Sequence, residues 1–327
     1  MASKSLIRRA MLLIEKLKRD TPVPSSSSKM LAKSRNLTVD CVAYDLEDSV
    51  APDQKQHARE ALRNFLQNLK HDRPKGIKEI AVRVNATDTK HIEDDLRAVV
   101  DTPGLNTIVL PKVQTAADIN LVADAICHLQ HDLGNSHSPL SIIALVETAK
   151  GLINLNEISA ASPLISGLAF AAEDFCHDLS ITRTPSLTEL LFARSAIVTV
   201  ARAHEIPSTL DLVTTSFKGE EGIRHLELEC ADGKRLGFNG KQLVHPNQVE
   251  VAQRVFSPSE EELTWAVKVT IGDAKAMADQ GRGAWTLDGK MIDVPVVKKA
   301  QAIVAKAEAC GMDVQSLRDT WKDLQPQ

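Results

Sequence analysis

Two acidic positions follow apolar runs of strand length, and they are the residues best suited to chemistry. The run Ser141–Val146 ends at Glu147, and the run over residues 164–170 is followed by Glu173 and Asp174. Carboxylates that converge are unfavourable unless they share a cation or a proton. Because oxygen ligands are what these positions offer, Mg²⁺ is the natural cation. The alternative is that Glu147 and Asp174 cap the helices that follow them.

The segment between the two runs indicates why both acids would lie at one edge of a sheet. Residues 149–160 predict a helix with Ile153, Leu155 and Ile158 on its apolar stripe, and Pro163 ends it. Strand, helix and strand in succession is the pattern of a parallel sheet, whose carboxyl ends share one edge. Ligands bind at that edge in such folds.

The rest of the chain repeats this alternation. Strands are predicted over residues 10–14, 40–46, 79–84, 106–110, 207–213 and 237–244, and helices over 53–70, 92–100, 116–133 and 187–203, with 220–229 weakly helical. A total of eight strands favours a (β/α)8 TIM barrel over an open doubly wound sheet. The sequence contains neither GxGxxG nor a P-loop, which lowers the nucleotide-binding alternative.

After residue 258 the pattern changes. A helix over 259–280 begins at the capping pattern Ser257-Pro258-Ser259-Glu260, and a glycine-rich stretch and a further helix over 294–311 follow. These elements are additional to the eight βα units of the predicted barrel. We therefore predict a barrel domain over residues 1–257 and a helical extension over 258–327, which packs on the barrel or reaches a neighbouring subunit.

Composition excludes several classes of function. A net charge of −4 and 3% aromatic residues argue against a nucleic-acid partner. No apolar run is long enough to span a bilayer, so no membrane partner is expected. The five cysteines are scattered without a CxxC pair, which fits a reducing compartment. The basic start, with no acid before Glu15, could be a transit peptide or could carry the first strand.

Further polar residues follow the predicted strands. Glu47 and Asp48 follow the second strand, and Arg83 lies within the third, in the sequence VRVN. An inward Arg83 would suit a carboxylate or a developing enolate oxygen. A structural ion pair with Glu47 or Asp48 is an equal alternative.

Three more polar positions close the set. Lys112 could reach a phosphate or lie on the rim, and His245-Pro246 predicts a turn in which His245 is hydrogen-bonded locally. Asp211 follows the seventh strand.

Seven short motifs in chain order resemble those of the HpcH/HpaI aldolase and citrate lyase beta-subunit-like family. They are DCVAYDLEDSV, AVRVN, VLPKV, ALVETAKGL, AAEDF, GFNGKQLVHPNQ and GKMIDVP, and the likeness covers residues 8–311. Within the family, the motifs resemble those of the citrate lyase beta-like citramalyl-CoA lyases and of malyl-CoA lyases.

The resemblance implies a TIM barrel in which Glu147 and Asp174 hold Mg²⁺ as the cofactor. It implies that Arg83 binds a 2-oxo acid and polarises its ketone, and that Glu47 and Asp48 orient metal-bound water.

The resemblance also implies a shared site in a homotrimer or hexamer. Asp293, in the MIDVP motif, would enter the neighbouring subunit's site as acid/base on the acetyl-CoA methyl group. Its alternative role is to cap the helix that begins at Val294. Lys112 and Pro246 would contribute to binding the CoA thioester substrate.

The implied reaction is cleavage of citramalyl-CoA to acetyl-CoA and pyruvate through an acetyl-CoA enolate. Malyl-CoA lyase, which would release glyoxylate, citryl-CoA lyase, a non-catalytic citrate lyase beta-like subunit and an aldolase acting on free acids are the alternatives. The expected location is mitochondrial, or otherwise cytoplasmic. The first loop departs from the family pattern, because residues 14–22 replace an aromatic residue and Ser25 replaces a glycine, so the substrate range depends on this loop.

Overall fold

A closed barrel of parallel strands forms the larger part of the molecule. The computed structural model describes residues 6–14, 34–69, 74–132, 140–216, 218–280 and 284–325. Within these residues, strands β1 to β8 pair in chain order and β1 also pairs with β8, so the sheet has no open edge. The predicted (β/α)8 barrel is confirmed. The loop departures at residues 15–22 and Ser25 lie outside the described residues.

The elements have the following bounds. Strands are β1 (Ala10–Ile14), β2 (Val39–Asp45), β3 (Ile77–Arg83), β4 (Thr107–Leu110), β5 (Ser141–Val146), β6 (Ile165–Phe170), β7 (Ser208–Asp211), β8 (Gly240–Leu243), β9 (Trp285–Leu287) and β10 (Lys290–Ile292). Helices are α1 (Lys55–Asn68), α2 (Ile92–Val99), α3 (Ala116–Asp132), α4 (Ala149–Ile153), α5 (Leu155–Ala160), α6 (Ala172–Leu179), α7 (Leu191–Ala203), α8 (Gly219–Leu236), α9 (Val249–Phe256), α10 (Glu260–Gln280), α11 (Val294–Ala309) and α12 (Val314–Trp321).

The barrel strands are short apolar runs because both of their faces are covered. Every residue of β2, β4, β7 and β8 is buried, as expected where helices pack outside a parallel sheet and side chains fill its interior. In the described part of the chain, no helix combines the length and the apolar character needed to cross a bilayer.

The middle of the barrel interior is apolar. Its buried side chains come from alternate positions of the strands, and they are Met11, Leu13, Cys41, Ala43, Ala81, Val109, Ile143, Leu145, Ala169 and Leu210. Because successive residues of a strand point to opposite faces, Asp45 and Arg83 continue the inward series of β2 and β3. The apolar layer therefore lies directly beneath the polar residues at the carboxyl ends of these strands.

An ion pair lies at the amino-terminal end of the barrel. Arg8, only 2% exposed, contacts Glu79 in two places, through Nε to Oε2 at 2.6 Å and through Nη2 to Oε1 at 2.7 Å. The same guanidinium donates to Ser166 Oγ at 2.8 Å. A buried pair of this kind is tolerated because its hydrogen bonds are satisfied within the barrel.

Residues 254–325, with Leu6 and Ile7, belong to a second compact unit, and the boundary with the barrel unit falls within α9. Its core gathers apolar residues of α10 and α11 around Trp285 in the β9–β10 hairpin. Ser259 caps α10 reciprocally: Glu262 N donates to Ser259 Oγ at 3.0 Å, and Ser259 N donates to Glu262 Oε2 at 2.8 Å.

Several elements differ from the sequence prediction. The helix predicted over 149–160 is interrupted at Asn154, where α4 ends and α5 begins. The weakly helical segment over 220–229 lies in the N-terminal part of α8, an 18-residue helix. Its buried face includes Gly222, Gly233 and Glu229, so its apolar periodicity is weak. The β9–β10 hairpin is unpredicted because strands of three residues carry almost no periodicity.

The Arg8–Glu79 pair predicts a pH dependence of folding. Burial opposes ionisation of Glu79, but the charge and hydrogen bonds of Arg8 hold its pKa below the usual range. A lowered folded-state pKa gives stabilisation that is complete above the unfolded pKa of about 4.3 and is lost as the pH falls through the folded-state value. We expect Glu79→Gln to lower the free energy of unfolding by about 3 kcal/mol at pH 7, and this deficit to shrink below about pH 4.

Urea unfolding of both proteins between pH 7 and pH 3.5 measures this deficit. Glu93→Gln, which alters an exposed pair with Arg97 on α2, is the control and should show no such trend. A deficit that stays constant across the range would contradict the prediction.

Candidate active site

Arg83 lies at the centre of the polar residues at the carboxyl end of the barrel. The register of β2 and β3 sets Asp45 beside Arg83, and the two side chains pair bidentately, with Nε–Oδ1 at 2.7 Å and Nη2–Oδ2 at 2.8 Å. Arg83 Nη1 also lies 3.2 Å from Glu47 Oε2. Arg83 therefore points inward and also makes the ion pair with Glu47 that the sequence analysis gives as the alternative.

Asp45 is a member of this site that the sequence analysis misses. Burial opposes its ionisation, but Arg83 and the backbone N–H groups of Glu47 (2.9 Å) and Ser49 (3.1 Å) hold its pKa below the usual range. Asp45 therefore fixes both the Arg83 fork and the start of the loop that carries Glu47 and Asp48. Its position, two residues after the inward Ala43, is the signal that would have identified it.

Glu47 is shared between two cations. Its carboxylate accepts from Lys112 Nζ at 2.8 Å in addition to its contact with Arg83, while Lys112 lies 3.7 Å from the more exposed Asp48. Burial raises the pKa of Glu47, and the two cations oppose that rise without cancelling it. Burial disfavours the Lys112 ammonium, but the bond to Glu47 raises its pKa. Lys112 lies at the barrel mouth, and its backbone is in the left-handed region, with a φ of 52°.

Glu147 is a buried carboxylate with an unsatisfied oxygen. It is 2% exposed, and within the described residues its Oε2 has no hydrogen-bond partner. Burial, followed by the negative charges of Glu47 and Asp174, raises the pKa of Glu147 to about 8. An orphaned oxygen among like charges is costly in a protein interior. This donor set fits a bound divalent cation.

The two acids that follow β5 and β6 are not the caps of the next helices. Thr148 caps α4, since Gly151 N donates to its Oγ1 at 3.0 Å. Asp174 is an exposed residue in the first turn of α6, whose N-cap is Ala171 and has no side-chain cap bond. Neither Glu147 nor Asp174 is therefore the N-cap of the helix that follows it, although Asp174 lies in the first turn of α6.

Two protein carboxylates are a small ligand set. Among the described residues, no group of three or more His, Cys, Asp or Glu side chains is arranged to hold a metal ion. Mg²⁺ usually keeps several waters and takes one or two protein carboxylates together with substrate oxygens. Glu147 and Asp174 are sufficient for that mode of binding.

The loops of the site are supported from the helix layer. Lys55, in the first turn of α1, donates to the carbonyl oxygens of Leu46 (2.7 Å) and Glu47 (2.8 Å) and to Asn85 Oδ1 (2.7 Å). On the other side, a Cβ on Gly151 would lie 2.4 Å from the Val113 carbonyl oxygen, so a glycine is needed where α4 meets the loop that carries Lys112.

The turn that contains Pro246 lies at the end of β8, on the same edge. Gln248 Oε1 accepts from the backbone N–H groups of Val244 (3.0 Å) and His245 (3.2 Å), and its Nε2 donates to Thr214 O at 2.9 Å. Pro246 starts a short 3-10 helix there, and His245 Nδ1 accepts from Asn247 N at 3.2 Å.

Two further predicted positions have other local contacts. Asp211 is fully buried against Arg194 of α7, whose Nη2 lies 2.7 Å from its Oδ2, so it belongs to the strand–helix interface and not to the barrel mouth. Asp293, in the second unit, is the N-cap of α11, with Val296 N donating to its Oδ1 at 3.1 Å.

Comparison with known proteins assigns the family. The family model described as HpcH/HpaI aldolase/citrate lyase matches residues 22–246. The chain belongs to this family.

Relatives match nearly the whole chain. Citrate lyase subunit beta of Escherichia coli is 34% identical over 309 residues, covering 94% of this chain and 96% of the relative. A (3S)-malyl-CoA thioesterase of Cereibacter sphaeroides is 35% identical, covering 88% and 93%. The mitochondrial citramalyl-CoA lyase of Homo sapiens is 34% identical, covering 87% and 84%.

A solved structure within the family shares the fold. Protein CitE from Mycobacterium tuberculosis, in complex with magnesium, acetoacetate and coenzyme A, superposes with a TM-score of 0.67 at 30% identity, covering 92% of this chain and 98% of that one.

Proposed function

We propose that this protein is a CoA-ester lyase of the citrate lyase beta type, and more narrowly a Mg²⁺-dependent lyase that cleaves citramalyl-CoA to acetyl-CoA and pyruvate. Family membership supports the broader statement. The observation that supports dependence on Mg²⁺ is the orphaned oxygen of Glu147, buried near Glu47 and Asp174 at the end of the barrel where enzymes of this fold keep their active sites. The choice of citramalyl-CoA rests on the resemblance of the sequence motifs to those of citramalyl-CoA lyases.

Glu147 and Asp174 are the proposed metal ligands. A bound Mg²⁺ supplies Lewis acidity that lowers the pKa of the substrate hydroxyl and offsets charge on the oxo-acid product. Glu47 and Asp48 would orient water molecules around the metal. Lys112, which contacts both acids, and Arg83 hold the Glu47 carboxylate in one position. The magnesium in the related complex supports a divalent cation as the cofactor.

Arg83 is the proposed binding group for the oxo acid. Asp45 holds its guanidinium in a fixed plane, so its positive charge is in place before the ketone oxygen develops negative charge. Because Asp45 stays ionised, Arg83 does not need to reorient during the reaction. Lys112 and the Pro246 turn lie at the same edge and are the proposed contacts of the CoA thioester.

The proton on the acetyl carbon is assigned to Asp293 of a neighbouring subunit in a homotrimer or hexamer. In its own chain this carboxylate caps α11 through one oxygen, Oδ1. The mitochondrial location remains a prediction, since residues 1–5 and 15–33 lie outside the described residues.

The metal ligands can be tested separately from folding. Glu147→Gln and Asp174→Asn should each lower Mg²⁺-dependent cleavage at least about a hundredfold. Glu147→Gln should leave the metal-free protein as stable as the wild type or more so, because burial and the neighbouring acids raise the pKa of the Glu147 carboxyl to about 8 and its ionisation therefore opposes folding. Steady-state rates against Mg²⁺ concentration and thermal unfolding measure the two effects, with exposed Glu157→Gln on α5 as the control. Near-normal turnover of either variant would remove that residue from the metal site.

The substrate is tested by cleavage assays on citramalyl-, malyl- and citryl-CoA with Mg²⁺. Citramalyl-CoA should have the highest kcat/KM. Preference for malyl- or citryl-CoA would instead favour a reaction related to the malyl-CoA thioesterase or citrate lyase relatives. Cleavage of none of the three would favour a non-catalytic subunit, and cleavage of free hydroxy acids alone would favour an aldolase that acts without CoA.

Mixing of inactive variants tests the shared site. Asp293→Ser keeps a good N-cap for α11 but removes the carboxylate, so it should fold normally and lose activity. Mixed with an Arg83→Ala chain, it should regain activity, because some interfaces then pair an intact Arg83 with an intact Asp293. Full activity of Asp293→Ser by itself would reduce Asp293 to a cap, and a mixture that remains inactive would exclude sharing.

A further inference from the structure

The first turn of the helix that carries Asp174 has no side-chain cap bond. α6 is eight residues long, with no side-chain cap bond at Ala171 and with Glu173 and Asp174 both in its first turn. Its start is held by Ala171 N donating to Val146 O at 3.1 Å and by an edge contact between Phe170 and Phe175. The exposed Asp174 side chain therefore depends on the placement of this first turn.

Arg183, just beyond α6, joins this turn to two other elements. Its Nη1 lies 2.6 Å from Glu173 Oε1 and donates to Val213 O, past the end of β7, at 3.0 Å. Its Nη2 lies 2.8 Å from Glu229 Oε1 on α8. The Arg183 side chain is 16% exposed, so the planar fork is held within the structure.

Glu229 is a firm anchor for Arg183. It is 4% exposed, and its Oε2 accepts from Thr214 Oγ1 and, at 3.1 Å, from the fully buried Lys241 of β8. Burial opposes ionisation of Glu229, but the charges of Lys241 and Arg183 hold its pKa below the usual range. A chain of contacts thus runs from the barrel wall at Lys241 through Glu229 and Arg183 to Glu173.

We infer that Arg183 is a positioning residue for Asp174, holding the first turn of α6 at the distance from Glu147 that a divalent cation needs. This rests on the proposed metal site. Mg²⁺ requires nearly ideal octahedral geometry with ligands at about 2.0–2.1 Å, so a small shift of one carboxylate weakens binding. Because Glu173 is 57% exposed, its ion pair with Arg183 contributes little to the free energy of unfolding. Loss of this ion pair should therefore change the position of the first turn of α6 more than it changes folding.

The direction in which Arg183→Gln changes the affinity for Mg²⁺ distinguishes a positioning role from a simple effect of charge. Arg183→Gln removes a positive charge near the acids, and charge alone would then strengthen Mg²⁺ binding. Positioning requires the opposite, a loss of about tenfold, at the low end of the range for residues that support metal ligands. Arg183→Lys keeps the charge but loses the fork that reaches two carboxylates and a carbonyl, so it should also weaken binding.

Calorimetric titration of the metal-free full chain with Mg²⁺ gives the affinities, and thermal unfolding gives the stability of each variant. Arg202→Gln, an exposed arginine on α7 that donates to Gly237 O, is the control and should bind as the wild type does. Unchanged or tighter binding by Arg183→Gln overturns the inference. If that variant does not fold, unchanged binding by Arg183→Lys overturns it. If the wild type binds no Mg²⁺, the proposed metal site fails, and the inference fails with it.

Discussion

The balance of charge at the carboxyl end of the barrel is the constraint on which this site depends. Glu47 and Glu147 are buried there, and Asp174 is near enough to raise the pKa of Glu147. The two cations that approach, Arg83 and Lys112, both contact Glu47, so Glu147 keeps an oxygen without a partner among the described residues. A deficit of positive charge in a buried position makes the site suited to a divalent cation, and makes it unfavourable as a purely structural arrangement.

The barrel separates this polar end from a second one. Arg8 and Glu79 form a satisfied pair at the amino-terminal end, and the apolar layer contributed by alternate strand positions lies between the two polar regions. At the amino-terminal end, Arg8 and Glu79 meet in a short bidentate contact, as a structural ion pair requires. At the carboxyl-terminal end, Glu147 has an oxygen with no hydrogen-bond partner among the described residues. That difference between two buried acids in one barrel sets the proposed metal site apart from a structural ion pair.

Rigidity at the mouth comes from side chains that bind backbone. Lys55 satisfies two carbonyl oxygens of the β2 loop. Gln248 joins the backbone after β8 to the backbone of the loop after β7, and Thr148 caps α4 directly after Glu147. Buried carbonyl and N–H groups in loops need such partners, because water does not reach them. The loops that carry the polar residues are therefore fixed before any ligand arrives, which is the preorganisation that catalysis of charge development requires.

The sequence by itself determined the architecture and half of the site. Alternating apolar runs and helices predict eight strands, and the acids that follow β5 and β6 share an edge in any parallel barrel, because both patterns are local. Which side chains meet was decided only by the tertiary structure. The pairing of Asp45 with Arg83 depends on strand register across 38 positions of sequence, and the contacts of Lys55 and Arg183 depend on how helices pack against loops. No periodic pattern in the sequence indicates these contacts, because they form only when the sheet closes into a barrel and the helices pack around it.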